Sequence, residues 1–200
     1  FTKEQREGAL RLQANYLSSV FLRNNGNGTF TMTRLPVQAQ ISVLNGMSVN
    51  DFDGDGNLDV VINGNDFGTE VSLGRYDALN GLLMKGDGKG NFNPQSILQS
   101  GIYIPGNGKA LVSLRSGKQK YLLAASQNKG ALKVFELKTS QRIIPAEPLD
   151  ESVILNYKNG KKQKREISYG ASFLSQSGRF FLVDTNVVSL EIKNHKEVLR

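Results

Sequence analysis

Four aspartates stand within a nine-residue stretch, and their spacing restricts the local fold more than any other feature of the sequence. With one glycine, they occupy positions one, three, five, six and nine of a short loop: Asp51, Asp53, Asp55, Gly56 and Asp59. Carboxylates this close repel one another strongly unless a hard cation lies among them, and oxygen ligands on a flexible loop suit Ca²⁺. We therefore predict one structural calcium ion, bound by the four carboxylates and by the backbone carbonyl of Asn57 at position seven.

The residues after this loop indicate a strand. An EF-hand requires a bidentate glutamate at position twelve, whereas Ile62 stands there, at the end of a short apolar run. The loop is therefore expected to lead into a β-strand and not into a helix. The alternative interpretation is a solvated acidic turn that binds no ion.

A Gly-rich string occurs twice, over 24–30 and 85–92, each time after a short apolar run and with a Phe at its end. Such an internal repeat of turns between short strands predicts β-hairpins arranged as propeller blades. A phosphate-binding interpretation is weaker, because neither string ends in Lys-Ser/Thr or begins a helix. A second ion is not expected, because the second repeat has no carboxylate at the positions aligned with the four aspartates: Leu114, Ser116, Lys118 and Leu122.

An acidic loop that leads directly into a short strand resembles the FG-GAP or VCBS repeat, the calcium-bearing blade unit of integrin-type β-propellers. Residues 75–78 (Arg-Tyr-Asp-Ala) and 100–106 are similar to segments of exported VCBS-repeat proteins that carry an ASPIC/UnbV tail. Residues 159–177, which begin with an Asn-Gly-Lys-Lys hairpin, resemble part of that tail. The match is partial, since Phe-Leu-Val-Asp at 181–184 stands where the family has Phe-Gly-Leu-Gly.

These patterns predict an all-β chain in three parts. Propeller blades cover 1–140 and include a short N-terminal helix over 3–15, a linker covers 141–150, and a small ASPIC/UnbV-like β domain covers 151–200. Two blades cannot close a propeller. We therefore expect the chain to be an interior or C-terminal part of a longer protein, with the remaining blades or other protein subunits as its partners, or to complete the ring with another copy of itself.

The composition argues against several functional classes. The net charge of +7 is dispersed, and the basic residues do not alternate with aromatic ones as a base-stacking surface requires, so nucleic acid is not expected as a partner. The chain has no cysteine for a thiolate site and no long apolar run for a membrane span. Its single histidine, His195, is expected in a solvated loop, so we predict no catalytic residues and no enzyme activity.

Two charged segments leave alternatives open. The most basic segment is a hairpin that carries Lys158, Lys161, Lys162, Lys164 and Arg165. Lysines on an edge hairpin usually prevent unwanted strand pairing, but contact with an acidic polysaccharide or anionic lipid is the alternative. Arg75 and Asp77 are interpreted as a local ion pair, with anion or saccharide binding as the alternative.

The family resemblance also implies a function. It implies a calcium-stabilised, non-catalytic binding or scaffold module of an exported bacterial protein, extracellular or associated with the outer membrane, in a surface complex that captures nutrients such as glycans. Protein subunits, further blades and polysaccharide are the partners that this implies. The alternatives are an accessory propeller region of a carbohydrate-active or quinoprotein enzyme with its catalytic domain upstream, and an integrin-like adhesion module.

Overall fold

The chain folds into small antiparallel sheets, in agreement with the all-β prediction. The computed structural model describes residues 2–117, 120–192 and 195–198, the last four by their backbone alone. The strands of the first part are β1 (Val20–Asn24), β2 (Phe30–Arg34), β3 (Leu44–Asn50), β4 (Asp59–Gly64), β5 (Leu82–Gly86), β6 (Phe92–Gln95), β7 (Gly108–Arg115), β8 (Tyr121–Gln127) and β9 (Lys133–Glu136). Those of the second part are β10 (Arg142–Pro145), β11 (Ser152–Tyr157), β12 (Lys162–Glu166), β13 (Phe180–Val183), β14 (Val187–Ile192) and β15 (His195–Val198).

The sheets of the first part follow the order of the chain. The hairpin β1–β2 precedes a four-stranded sheet, β3-β4-β5-β6, and a three-stranded sheet, β7-β8-β9. Sequential antiparallel strands of this kind are the composition of a propeller blade, but the sheets form no closed ring within the residues that are described. The structure therefore supports the all-β class and leaves the assignment of propeller blades as a proposal.

Both Gly-rich strings are hairpin turns, as predicted. In each turn a backbone amide donates to the carbonyl four residues later, from Asn25 to Thr29 at 3.0 Å and from Asp87 to Asn91 at 3.2 Å. The strand pairing differs from the alignment of the second repeat, in which Leu114 was aligned with a loop residue although it lies within β7. Tyr121 pairs with the last residue of β7 as Asp59 pairs with the last residue of β3, so Tyr121, and not Leu122, takes the position of Asp59. Lys118 of that alignment lies outside the described residues.

The N-terminal helix predicted over 3–15 is reduced to a single 3₁₀ turn, Glu4–Arg6. Glu7 is extended, with φ −63° and ψ 129°, and ends the turn. A helix over 3–15 would be marginal in water unless it buried an apolar face. Leu10 and Leu12 bury nothing, because they are more than four-fifths exposed. Strand β1 follows and begins at Val20. Two further helical turns, Val37–Ala39 and α1 (Ile97–Ser100), connect strands.

The C-terminal part packs on the first part. Strand β10 lies in the passage predicted to be a linker and pairs with β13, and a second sheet has the order β12-β11-β14-β15. Ile143 and Leu182 join a core cluster with Val61 and Leu123 of the first part. Buried apolar area of this kind is the main favourable term in folding, so the passage 141–150 is structured. By its backbone, His195 begins a strand and is not in a loop.

Candidate metal centre

The structure brings three of the predicted ligands together. Carboxylate oxygens of Asp51, Asp53 and Asp59 lie within 4.8 Å of one another. Asp51 and Asp59 are each only 1% exposed, which is rare for a carboxylate without a partner. The alternative of a wholly solvated acidic turn is therefore wrong for these two residues.

Two glycines allow the loop backbone to fold around the Asp51 carboxylate. Gly54 and Gly56 have φ values of +80° and +83°, which a residue without Cβ adopts at little cost. In this conformation their amides donate to the two carboxylate oxygens of Asp51, at 2.7 Å to Oδ1 and 2.9 Å to Oδ2. Burial raises the pKa of Asp51 to about 6, although these two amides and Arg165 act in the opposite direction.

Asp59 ties the loop to two strands. It is the first residue of β4, and that strand follows the loop as predicted. Its Oδ2 accepts from the Phe52 amide at 2.9 Å, and its Oδ1 accepts from the Gly86 amide, at the end of β5, at 3.0 Å. Burial raises the pKa of Asp59 as well, and the two amides offset part of this effect. A carboxylate has about four acceptor directions, so both buried aspartates keep capacity for a cation.

Asp53, Asp55 and Asn57 lie on the outer side of the loop. Asp53 forms an ion pair with Lys85, whose Nζ lies 2.9 Å from its Oδ2. Asp55 accepts instead from the backbone amide of Asn57 at 2.7 Å and from its side-chain nitrogen at 3.1 Å. Asp55 does not belong to the group of close carboxylates. The structure thus assembles Asp51, Asp53 and Asp59 and leaves Asp55 outside, and the backbone carbonyl of Asn57 stays a predicted ligand.

The C-terminal part holds the loop by polar contacts that the sequence did not predict. Lys161 Nζ donates to the Gly56 carbonyl at 2.7 Å and to Asn57 Oδ1 at 3.2 Å. Gln141 Nε2 donates to the Asp51 carbonyl at 3.1 Å, and Arg165 Nη1 donates to the side-chain oxygen of Asn50 at 3.0 Å. These partners are about a hundred residues apart in the chain, so no local pattern in the sequence could have indicated them.

These donors fit a hard divalent cation. All three close side chains offer carboxylate oxygens, the ligands that Ca²⁺ and Mg²⁺ prefer, and their number alone does not select one of the two. The ammonium of Lys85 shows that a positive charge can lie against Asp53. Beside the loop, Gln141 Oε1 is buried without a hydrogen-bond partner. The site can therefore bind a cation. Alternatively, the backbone amides and Lys85 stabilise the loop without a bound ion.

The other charged segments are largely engaged in internal contacts. Lys164 pairs with Glu166 at 2.9 Å, and Lys161 and Arg165 contact the acidic loop. The ion pair predicted between Arg75 and Asp77 is absent among the described side chains. The Arg75 guanidinium lies instead over the ring of Phe67, at 4.9 Å from its centroid.

The structure also contains a cluster of hydroxyl groups that the sequence did not predict. The side-chain oxygens of Ser48 and Ser113 lie 3.0 Å apart, and Ser113 also contacts the Tyr121 hydroxyl. Burial raises the pKa of Tyr121, which favours its neutral form and makes it a weaker acid. The three hydroxyls link β3, β7 and β8 by hydrogen bonds.

Comparison with known proteins adds no family to this description. No family model matches the chain, and no curated protein matches it significantly. None of the helices in the described part of the chain has the length and apolar character needed to span a bilayer.

Proposed function

We propose that this chain is a calcium-stabilised, non-catalytic binding or scaffold module of an exported cell-surface protein, built from FG-GAP/VCBS-type propeller blades and a partial ASPIC/UnbV-like tail. The observation that carries the proposal is the pair of buried carboxylates, Asp51 and Asp59, beside Asp53 at the start of β4. A cation among these oxygens would offset their mutual repulsion and join the loop to β4 and β5. Because the ion binds the folded loop far better than the unfolded chain, its affinity would add to stability.

An exported location follows from the affinity that such a loop is expected to have. Calcium loops range from nanomolar to millimolar dissociation constants, and fewer or compensated carboxylates weaken binding. Here Lys85 already neutralises Asp53, which favours the weak end of that range. A weak site is occupied where calcium is plentiful, as it is outside the cell.

A scaffold role is supported by an apolar face that is left exposed. When the two Gly-rich hairpins are aligned by their turns, Leu22 corresponds to Met84 and Phe30 corresponds to Phe92. Met84 is fully buried and Phe92 packs edge-on against Phe21, with ring centroids 5.5 Å apart. Leu22 is 57% and Phe30 is 63% exposed. The repeat therefore predicts that a further blade covers this face of β1–β2.

The proposal is tested by thermal unfolding in calcium and in chelator. Calcium should raise the melting temperature, and Asp53→Ala should abolish most of the difference. Asp87→Ala is the matched control, because Asp87 lies in the neighbouring turn, outside the group of close carboxylates; this variant should keep the full calcium response. An equal melting temperature in calcium and chelator would refute a structural ion, and an equal response to magnesium would refute selectivity for calcium.

A further inference from the structure

A cleft of about 490 Å³ lies between three hairpins. Its walls come from β1, from the turn between β5 and β6, and from the start of β12, and its floor includes the end of the acidic loop. None of the described Asp or Glu residues lines this cleft. Its lining includes four cationic side chains: Arg23, Lys161, Lys162 and Lys164.

Most of this positive charge lacks an acidic partner. Only Lys164 is paired, with Glu166. Lys161 donates to a carbonyl and an amide oxygen, which are both uncharged. Arg23 and Lys162 are exposed and form no ion pair with any of the described acidic side chains. Arg23 of β1 and the two adjacent lysines, Lys161 and Lys162, are positive charges from two separate hairpins that line one cleft. They repel one another, and an anion in the cleft would relieve that repulsion.

The cleft also offers an apolar surface at a fixed position. A Cβ on Gly90 would lie 2.8 Å from a ring carbon of Phe21 and 3.1 Å from Arg23 Nη2. Both side chains therefore pack directly against the backbone of the turn. Phe21 meets Phe92 edge-to-face, at an interplanar angle of 69°. This pair provides no parallel slot for a planar nucleobase, but both rings are partly exposed, and the negative face of an aromatic ring attracts the C–H groups of a sugar. The volume exceeds what a single phosphate or sulfate ion fills.

We propose that this cleft binds an acidic oligosaccharide, with its carboxylate or sulfate groups at Arg23, Lys161 and Lys162 and a sugar ring against Phe21 and Phe92. Arginine and lysine form charge-assisted hydrogen bonds with such groups. Asn57 lies both in the proposed calcium loop and among the lining residues of the cleft. A cation in the loop would make the cleft more positive, so calcium should strengthen binding of the anion. The cleft is the ligand site of the proposed binding module, and the inference rests on that function.

The test is titration of the chain with a hyaluronan hexasaccharide, in calcium and in chelator, with chitohexaose as the neutral control. The double variant R23Q/K162Q should lower the affinity about tenfold, the change that 1.4 kcal/mol produces. The variant K129Q/K138Q removes the same charge from exposed lysines outside the cleft and should change the affinity less than about twofold. Both variants should keep the calcium-dependent melting temperature of the parent chain.

Equal losses in the two variants would show a general effect of net charge and would overturn the proposal. Equal binding of chitohexaose would also overturn it. Binding to phosphatidylglycerol vesicles that the hexasaccharide does not displace would assign the cations to a membrane surface instead. If the hexasaccharide binds through Arg23 and Lys162 but calcium changes neither its affinity nor the melting temperature, the binding site in the cleft is supported and the proposed calcium site is refuted.

Discussion

Replacing Lys85 with methionine should raise the calcium affinity of the loop. The ammonium of Lys85 lies 2.9 Å from Asp53 Oδ2, and calcium would bind the same carboxylate at about 2.3–2.6 Å. The two cations would then stand about 5 Å apart, and their repulsion in a water-like dielectric is about 1.7 kcal/mol. The two side chains are 43% and 30% exposed, so screening by salt reduces this to about 1 kcal/mol, a gain in affinity of roughly fivefold.

Calcium titration calorimetry measures this gain directly. Without calcium, Lys85→Met removes a partly exposed ion pair and should cost no more than about 1 kcal/mol of unfolding free energy, measured with urea in chelator. Lys89→Met is the matched control, because Lys89 is an exposed lysine of the adjacent turn with no ion pair to the loop. An unchanged or weaker affinity in Lys85→Met would refute the reasoning. A variant that is destabilised and does not respond to calcium would show that lysine and amides hold the loop in the ion's place.

Three shorter predictions test the surroundings of the loop. Gly56→Ala should destabilise the chain more than Gly160→Ala in urea unfolding. An alanine at either position costs about 1–2 kcal/mol, because φ is near +80°. Only at Gly56 would the added Cβ also contact a tyrosine ring, at 3.3 Å. Lys161→Met should cost about 1–2 kcal/mol by the same measurement, because it removes a charged hydrogen bond to the Gly56 carbonyl. Asp87 should titrate with a pKa of about 2 by NMR, chiefly because the Asn91 side chain donates a hydrogen bond to it, and Asn91→Ala should move that pKa toward 3.8. Because the pKa of Asp87 is lowered in the folded chain, its contribution to stability is present above about pH 4 and is lost as pH falls toward 2.

Local patterns in the sequence predicted the loop and the strand that follows it. Asp51, Asp53 and Asp59 lie close together because a hairpin connection brings its own ends together, and Asp59 begins β4 opposite Asn50. The ion that their spacing predicts stays a prediction. The Gly-rich turns were predictable for the same reason, since each requires glycine at positive φ. These features depend on residues within ten positions of one another.

The remaining features depend on tertiary context. The helix expected over 3–15 fails because nothing covers Leu10 or Leu12, although its composition favours a helix. The passage 141–150 looked like a linker because of its prolines, yet β10 ends at Pro145, and proline is tolerated on an edge strand such as this member of a two-stranded sheet. Its partner β13 stands far along the chain, so no short-range pattern indicates this pairing.

The balance of charge around the loop connects the site to the C-terminal part. Asp51, Asp53, Asp55 and Asp59 contribute four negative charges, and Lys85, Lys161 and Arg165 bring three positive charges to the same region. The loop is thus almost neutral before any ion binds, which is why a divalent cation should bind weakly and should loosen at least one lysine contact. Two of the three cations belong to the C-terminal part. If the loop binds calcium as proposed, binding and the packing of that part on the first part would therefore be coupled through shared electrostatics, and a change in either one should be measurable in the other.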